Sequence, residues 1–153
     1  KKNLICVAPD IGGAERARAL GRKINAEIAI VDKRRPAPGK SEVMNIVGDV
    51  SNKICIITDD IIDSGGTIVN AAKALKDKGA KEIYVYVTHA VLSGNAVKKI
   101  NSSLIKKLIV TDTIDNADKV KKSSKIQTLS ISNLIGEAIK RISNSTSVSD
   151  LFK

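Results

Sequence analysis

A chain of 153 residues is the length of one domain, with room for a single interior. Hydrophobic residues make up 42% and charged residues 27%, which excludes a disordered polymer, and only 2% are aromatic, so Ile, Val, Leu and Ala must build the core. The formal net charge of +10 invites polyanions, but much of it comes from scattered helix-surface lysines such as Lys73, Lys76 and Lys78, and the stacking aromatics of nucleic-acid readers are nearly absent.

No apolar run approaches the roughly 20 residues of a membrane-spanning helix, and no leader pattern is visible. The expectation is a soluble, cytoplasmic protein with neither a nucleic acid nor a membrane as partner. Cys6 and Cys55 each lie inside an apolar run and read as small buried residues without metal spacing. His89 is the single histidine, which excludes a multi-histidine metal site. The chain opens on Lys1 and is already in a strand-like run at Leu4-Ile5-Cys6-Val7. It therefore reads as one domain, residues 1–153, of a longer polypeptide.

Strand-like and helix-like runs alternate from end to end. Residues 4–8 predict a strand, 13–24 a helix and 27–31 a strand; a polar loop follows, then a strand over 54–58. A helix over 67–78, a strand over 82–88, a helix over 94–101 and a strand over 108–111 come next. Residues 125–129 predict a last strand and 133–143 a last helix. The strand runs are continuous rather than alternating, as in Ile54-Cys55-Ile56-Ile57, which suits parallel strands covered on both faces. In the helix over 67–78, Ile68, Ala71, Ala72 and Leu75 share one face and Gly79 is the stop. Leu134, Ile135, Ala138, Ile139 and Ile142 repeat that pattern. The expected fold is α/β: a doubly wound, mostly parallel sheet with helices on both faces and ligands beyond the carboxyl ends of its strands.

The segment most informative about chemistry is Ile56-Ile57-Thr58-Asp59-Asp60-Ile61-Ile62-Asp63-Ser64-Gly65-Gly66-Thr67. A buried strand runs into two adjacent carboxylates and then into a small-residue turn that opens a helix. That turn offers backbone N–H groups and two hydroxyls at a helix N-terminus, which suits a phosphate, and its glycines let the backbone approach the anion. Asp59 and Asp60 cannot grip phosphate directly. They suit accepting hydrogen bonds from vicinal hydroxyls, or binding Mg²⁺ through water. A phosphate cradle beside two hydroxyl acceptors describes a sugar phosphate. No Lys follows the glycines, so this is not a Walker loop. The plain alternative is an ordinary strand-to-helix turn with a polar cap.

This segment resembles the phosphoribosyl-binding loop shared by phosphoribosyltransferases and ribose-phosphate pyrophosphokinases. The resemblance implies that Asp59 and Asp60 hold ribose hydroxyls and that Asp63, Ser64, Gly65, Gly66 and Thr67 hold the 5-phosphate, on a type I phosphoribosyltransferase-like fold. Two further segments favour the pyrophosphokinases. Asp32-Lys33-Arg34-Arg35-Pro36-Ala37-Pro38 followed by Glu42-Val43-Met44-Asn45-Ile46 resembles their catalytic flexible loop, in which Lys33 and Arg35 would take the positions of the transition-state cations. Read alone, the triplet is a solvated basic loop. Ala8-Pro9-Asp10-Ile11-Gly12-Gly13 resembles the turn whose aspartate, here Asp10, helps hold Mg²⁺ with ATP; Ala8 stands where the family usually has Ser. Without the resemblance, Asp10 is a helix cap.

The resemblance continues through Thr88–Gly94 and Val110–Ile114 to Ser147-Val148-Ser149-Asp150-Leu151-Phe152. Asn95 stands where the family usually has Pro. In phosphate-activated, ADP-inhibited members, Ser147, Ser149 and Phe152 match positions of a regulatory site between subunits. The resemblance implies transfer of the diphosphoryl group of MgATP to ribose 5-phosphate, a homo-oligomer (a hexamer for the full-length enzyme), and phosphate and ADP as effectors. It also places an adenine-stacking aromatic and a metal-binding histidine in a preceding domain. A phosphoribosyltransferase and a non-catalytic regulatory homologue that binds ribose phosphate are the alternatives. His89 has no chemical role in either; a structural hydrogen bond at a strand end is expected of it.

Overall fold

The structure is a computed structural model that describes residues 3–34 and 43–152, the side chains of Lys33, Arg34 and Val43 excepted. Seven strands form one sheet: β1 (Leu4–Ala8), β2 (Glu27–Arg34), β3 (Val43–Val47), β4 (Ile54–Ile62), β5 (Glu82–Ala90), β6 (Lys107–Thr111) and β7 (Ile126–Leu129). Their order is β3-β2-β1-β4-β5-β6-β7, with every neighbouring pair parallel except β2 and β3. The chain moves outward from β1 to β3 on one side and then restarts beside β1 with β4. The loops leaving β1 and β4 therefore diverge at a crevice between them, which is where open α/β sheets bind ligands.

Two layers flank this sheet. Helix α1 (Ala14–Ile24) packs on β1, β2 and β4, and on that face Cys6 and Ala8 meet Ala17. On the opposite face α2 (Gly66–Asp77) buries Ile68, Ala71, Ala72 and Leu75 in one apolar cluster with Ile5, Val7, Ile57 and Val85. The predicted helical face and the predicted continuous strands meet there. Lys78 ends α2, and Gly79 follows at φ +86° as the expected stop. Both cysteines are free and fully buried, and burial pushes the Cys55 thiol up to about 11 against the smaller opposing pull of Lys53 and Lys76.

Ile57 lies at the middle of β4 between β1 and β5 and has no exposure. Ile57→Ala is expected to cost about 2–5 kcal/mol of stability, read as a lowered urea midpoint, because a close-packed interior relaxes only partly around the lost volume. A loss under about 1 kcal/mol would mean that this part of the core is not close-packed.

Four expectations need correction. The polar loop predicted after residue 31 is partly sheet: β2 runs on to Arg34 and pairs antiparallel with β3, Asp32 opposite Asn45 and Lys33 opposite Met44. Half-buried Met44 and Ile46 pack on the main core and hold the added strand. The paired carboxylates sit within β4 rather than in a loop, because β4 stays paired with β5 as far as Ile62 opposite Ala90. The short helix α4 (Ala117–Val120) was not predicted; its four residues are too few to carry a helical period. Finally, α5 (Ser132–Ser143) has the predicted amphipathic pattern but buries none of its residues, and Ile139 and Ile142 are 62% and 66% exposed. Its apolar ridge meets no core among the described residues. Among the described residues no helix is long and apolar enough to cross a membrane.

Candidate functional site

The turn between β4 and α2 is built from small residues because it must bend sharply and leave its amides open. Gly65 caps α2 at φ +75°, a left-handed conformation that a side chain would strain. Among the described residues, the backbone amides of 64–67 donate to no protein acceptor; the first turn of a helix has no partners of its own to offer. They are held from behind instead. Val91 and Leu92 donate their amides to the Ile62 carbonyl at 3.0 and 3.2 Å, and the Ser93 amide reaches the Asp63 carbonyl at 3.1 Å. Helix α3 (Ala96–Ser102) backs the turn, with Ala96 and Ile100 each 3.9 Å from the place a Gly65 side chain would start.

Asp10, Asp59, Asp60, Asp63, Ser64, Gly65, Gly66 and Thr67 line one open cavity of about 300 Å³. The structure thus brings together every residue that sequence reasoning assigned to sugar, phosphate and metal. Asp10 is not the helix cap of its plain reading, since Gly13 is the N-cap of α1; its Oδ1 instead braces the turn before the helix by accepting the Gly13 amide at 2.9 Å. Cation chemistry here is limited: among the described residues no three His, Cys, Asp or Glu side chains are placed to hold a metal ion together. That donor set still fits Mg²⁺, which takes one or two carboxylates and completes its shell with phosphate oxygens and water. Asp10 would be its protein ligand.

Arg16 was not singled out from the sequence as a site residue. It lies in the first turn of α1, and its guanidinium spans both acids: Nη1 to Asp59 Oδ1 at 3.1 Å and Nη2 to Asp60 Oδ2 at 2.8 Å. The only local signal was its place just after the Gly12-Gly13 turn; the separation of 43 and 44 residues from its partners hides the pairing. The Asp60 amide also donates to Asp59 Oδ1 at 2.9 Å. Among the described residues, Arg16 and the Asp60 amide therefore hold Asp59 Oδ1, Arg16 holds Asp60 Oδ2, and the two carboxylates also touch each other.

The two acids differ in their electrostatics. Burial pushes the Asp59 carboxyl above the ordinary range, and the neighbouring Asp60 adds to that, against the Asp60 amide and Arg16. For Asp60 burial pulls upward too, but Arg16, the contact with Asp59 and the backbone amides outweigh it and hold the carboxyl below its usual value. Arg16 beside them favours the charged, hydrogen-bond-accepting form of both.

The remaining expected residues lie apart. Arg35 is outside the described residues, as is the side chain of Lys33, whose backbone belongs to β2. Ser147, Ser149 and Phe152 do not line the cavity. Residues Ser149–Phe152 form a short 3-10 turn, with the Phe152 ring 62% exposed and the Ser147 carbonyl accepting from Arg141 Nη1 at 2.9 Å. His89 makes the structural hydrogen bond expected of it, Nδ1 to Thr113 Oγ1 at 2.9 Å. Asn95 precedes α3 without a side-chain cap.

Known proteins share both the sequence and the fold. The family model described as phosphoribosyl synthetase-associated domain matches residues 35–153. Ribose-phosphate pyrophosphokinase of Brucella melitensis is 55% identical over 150 residues, covering 98% of this chain and 48% of that protein. The protein of the same name from Hyphomonas neptunium is 55% identical over 153 residues, 99% of this chain and 49% of the relative. The chain thus spans about half the length of the curated relatives it matches. Phosphoribosylpyrophosphate synthetase from Mycobacterium smegmatis superposes with a TM-score of 0.84 at 32% identity, over 94% of this chain and 46% of that one. A purine phosphoribosyltransferase from Pyrococcus horikoshii, at 19% identity over 85% of this chain and 76% of its own, has a TM-score of 0.51 and shares the fold alone. The fold is the type I phosphoribosyltransferase-like α/β sheet, and the chain belongs to the ribose-phosphate pyrophosphokinase family.

Proposed function

We propose that this chain carries the ribose 5-phosphate half of an active site that transfers the diphosphoryl group of MgATP to the 1-hydroxyl of the sugar. The 1-hydroxyl oxygen attacks the β-phosphorus and loses its proton, the bond from that phosphorus to the α-phosphate oxygen breaks, and phosphoribosyl pyrophosphate and AMP leave. The observation that carries this reading is the pairing, in one cavity at the strand-order switch, of open amides at 64–67 with two adjacent carboxylates oriented by Arg16. Open amides at a helix start match a dianionic phosphate. The carboxylates match the donors of adjacent sugar hydroxyls.

The residues work by placement. Residues 64–67 seat the 5-phosphate, Asp59 and Asp60 fix the ring through its hydroxyls, and Arg16 keeps the acids oriented and favours their charged forms. Magnesium bound with the phosphates supplies charge neutralisation, and Asp10 would share in holding it. Lys33 and Arg35 would add the cations that balance charge spreading over the moving phosphoryl groups. No covalent nucleophile is required. On the same reading Ser147, Ser149 and Phe152 contribute to a site for phosphate and ADP completed by another subunit of a homo-oligomer.

Adenine binding is assigned to the half of the relatives that this chain does not match. The isolated 153-residue chain is therefore expected to bind ribose 5-phosphate and to release AMP from ATP slowly or not at all. A coupled AMP assay checks this, and robust turnover by the chain alone would overturn the division of labour. Base-dependent consumption of phosphoribosyl pyrophosphate would favour a phosphoribosyltransferase instead.

A further inference from the structure

Helix α3 brings one cation to the back of the phosphate turn. Lys99 is exposed and sends its Nζ to the carbonyl of Ser64 at 3.2 Å, across 35 residues of sequence. That carbonyl belongs to the peptide unit whose N–H is that of Gly65. A trans peptide is planar and sets its C=O and N–H in opposite directions, so anchoring the carbonyl fixes the heading of the amide. The Gly65 amide meets no protein acceptor among the described residues, and Gly65 lines the cavity. A glycine at φ +75° has the freedom to swing that peptide unless something holds it.

From this geometry we infer that Lys99 is a positioning residue for phosphate: its ammonium holds the Ser64–Gly65 peptide with the amide turned into the cavity and polarises that amide as a donor. The inference rests on the ribose 5-phosphate reading of the site and adds a residue to it. Lys98, its neighbour, is also exposed and carries the same charge but makes no hydrogen bond to the turn among the described residues. It separates the specific contact from the general effect of a basic helix on an anion.

The test titrates ribose 5-phosphate and, separately, inorganic phosphate into the wild-type chain and into Lys99→Ala, Lys99→Arg and Lys98→Ala, with a melting curve for each protein. The Gly65 amide resonance is followed throughout. Lys99→Ala is expected to weaken both ligands about 5- to 10-fold, the range of a lost hydrogen bond to a well-placed group, and to shift the Gly65 resonance without changing the melting temperature. Lys99→Arg restores most of the affinity and Lys98→Ala retains it. Equal losses in Lys98→Ala and Lys99→Ala, or full affinity in Lys99→Ala, would overturn the role of Lys99 while leaving the sugar-phosphate reading intact. Failure of the wild-type chain to bind ribose 5-phosphate would instead remove the reading itself.

Discussion

Asp59→Asn or Asp60→Asn weakens ribose 5-phosphate binding by about 10- to 100-fold in a calorimetric titration, following the roughly 1.5–3 kcal/mol that a hydrogen bond to a charged group contributes. The effect on folding runs the other way for Asp59. Its carboxyl is pushed up by burial, so its ionised form opposes folding at neutral pH; that cost is absent below the ordinary carboxylate pKa and sets in as pH rises through the folded value. Asn keeps an acceptor for the Asp60 amide and carries no charge to bury. The melting temperature of Asp59→Asn at pH 7 is therefore expected to equal or exceed that of the wild type, with the difference closing as the wild-type acid protonates. A residue whose charge costs the fold stability, and whose loss weakens binding, is behaving as a site residue. If Asp59→Asn instead melts well below the wild type while binding the sugar phosphate normally, the acid is structural and the site assignment is wrong.

The second large effect separates chemistry from binding. In an enzyme of the relatives' length, Lys33→Ala or Arg35→Ala is expected to lower kcat by about 10³-fold, the scale on which a cation placed against a transferring phosphoryl group acts. Ribose 5-phosphate affinity should be unchanged, because the groups that seat the sugar and its phosphate belong to a different segment, from Asp59 to Thr67. Single-turnover rates beside equilibrium titrations distinguish the two. Equal losses in rate and in sugar affinity would mean that the basic residues help to build the seat rather than to stabilise charge during transfer.

The parts of this molecule that could be read from sequence are those governed by local pattern. The unbroken apolar run Ile54-Cys55-Ile56-Ile57 announced a strand covered on both faces, and the spacing of Ile68, Ala71, Ala72 and Leu75 announced the buried face of α2. Glycine and hydroxyl residues at 64–67 announced a turn with open amides. Non-local features were hidden. Arg16 joins Asp59 and Asp60 only because α1 and the end of β4 meet at the switch point, and no property of Arg16 itself marks it out. Strand β3 was missed because prolines and cations precede it and its weak apolar pattern gains support only from the core beneath Met44 and Ile46. In α5 the periodicity of Leu134, Ile135, Ile139 and Ile142 gives a helix with one apolar face, and that face is exposed. A hydrophobic stripe records a face that favours burial; it does not identify what covers that face.

The most direct test compares three ligands on the 153-residue chain: ribose 5-phosphate, 2-deoxyribose 5-phosphate and inorganic phosphate, each followed through the amide resonances of residues 64–67. All three should perturb those amides, with affinity falling in that order as hydroxyl donors to Asp59 and Asp60 are removed. Identical affinity for ribose 5-phosphate and inorganic phosphate, or perturbations centred away from the turn between β4 and α2, would contradict a site made of an amide seat and a pair of sugar-holding acids.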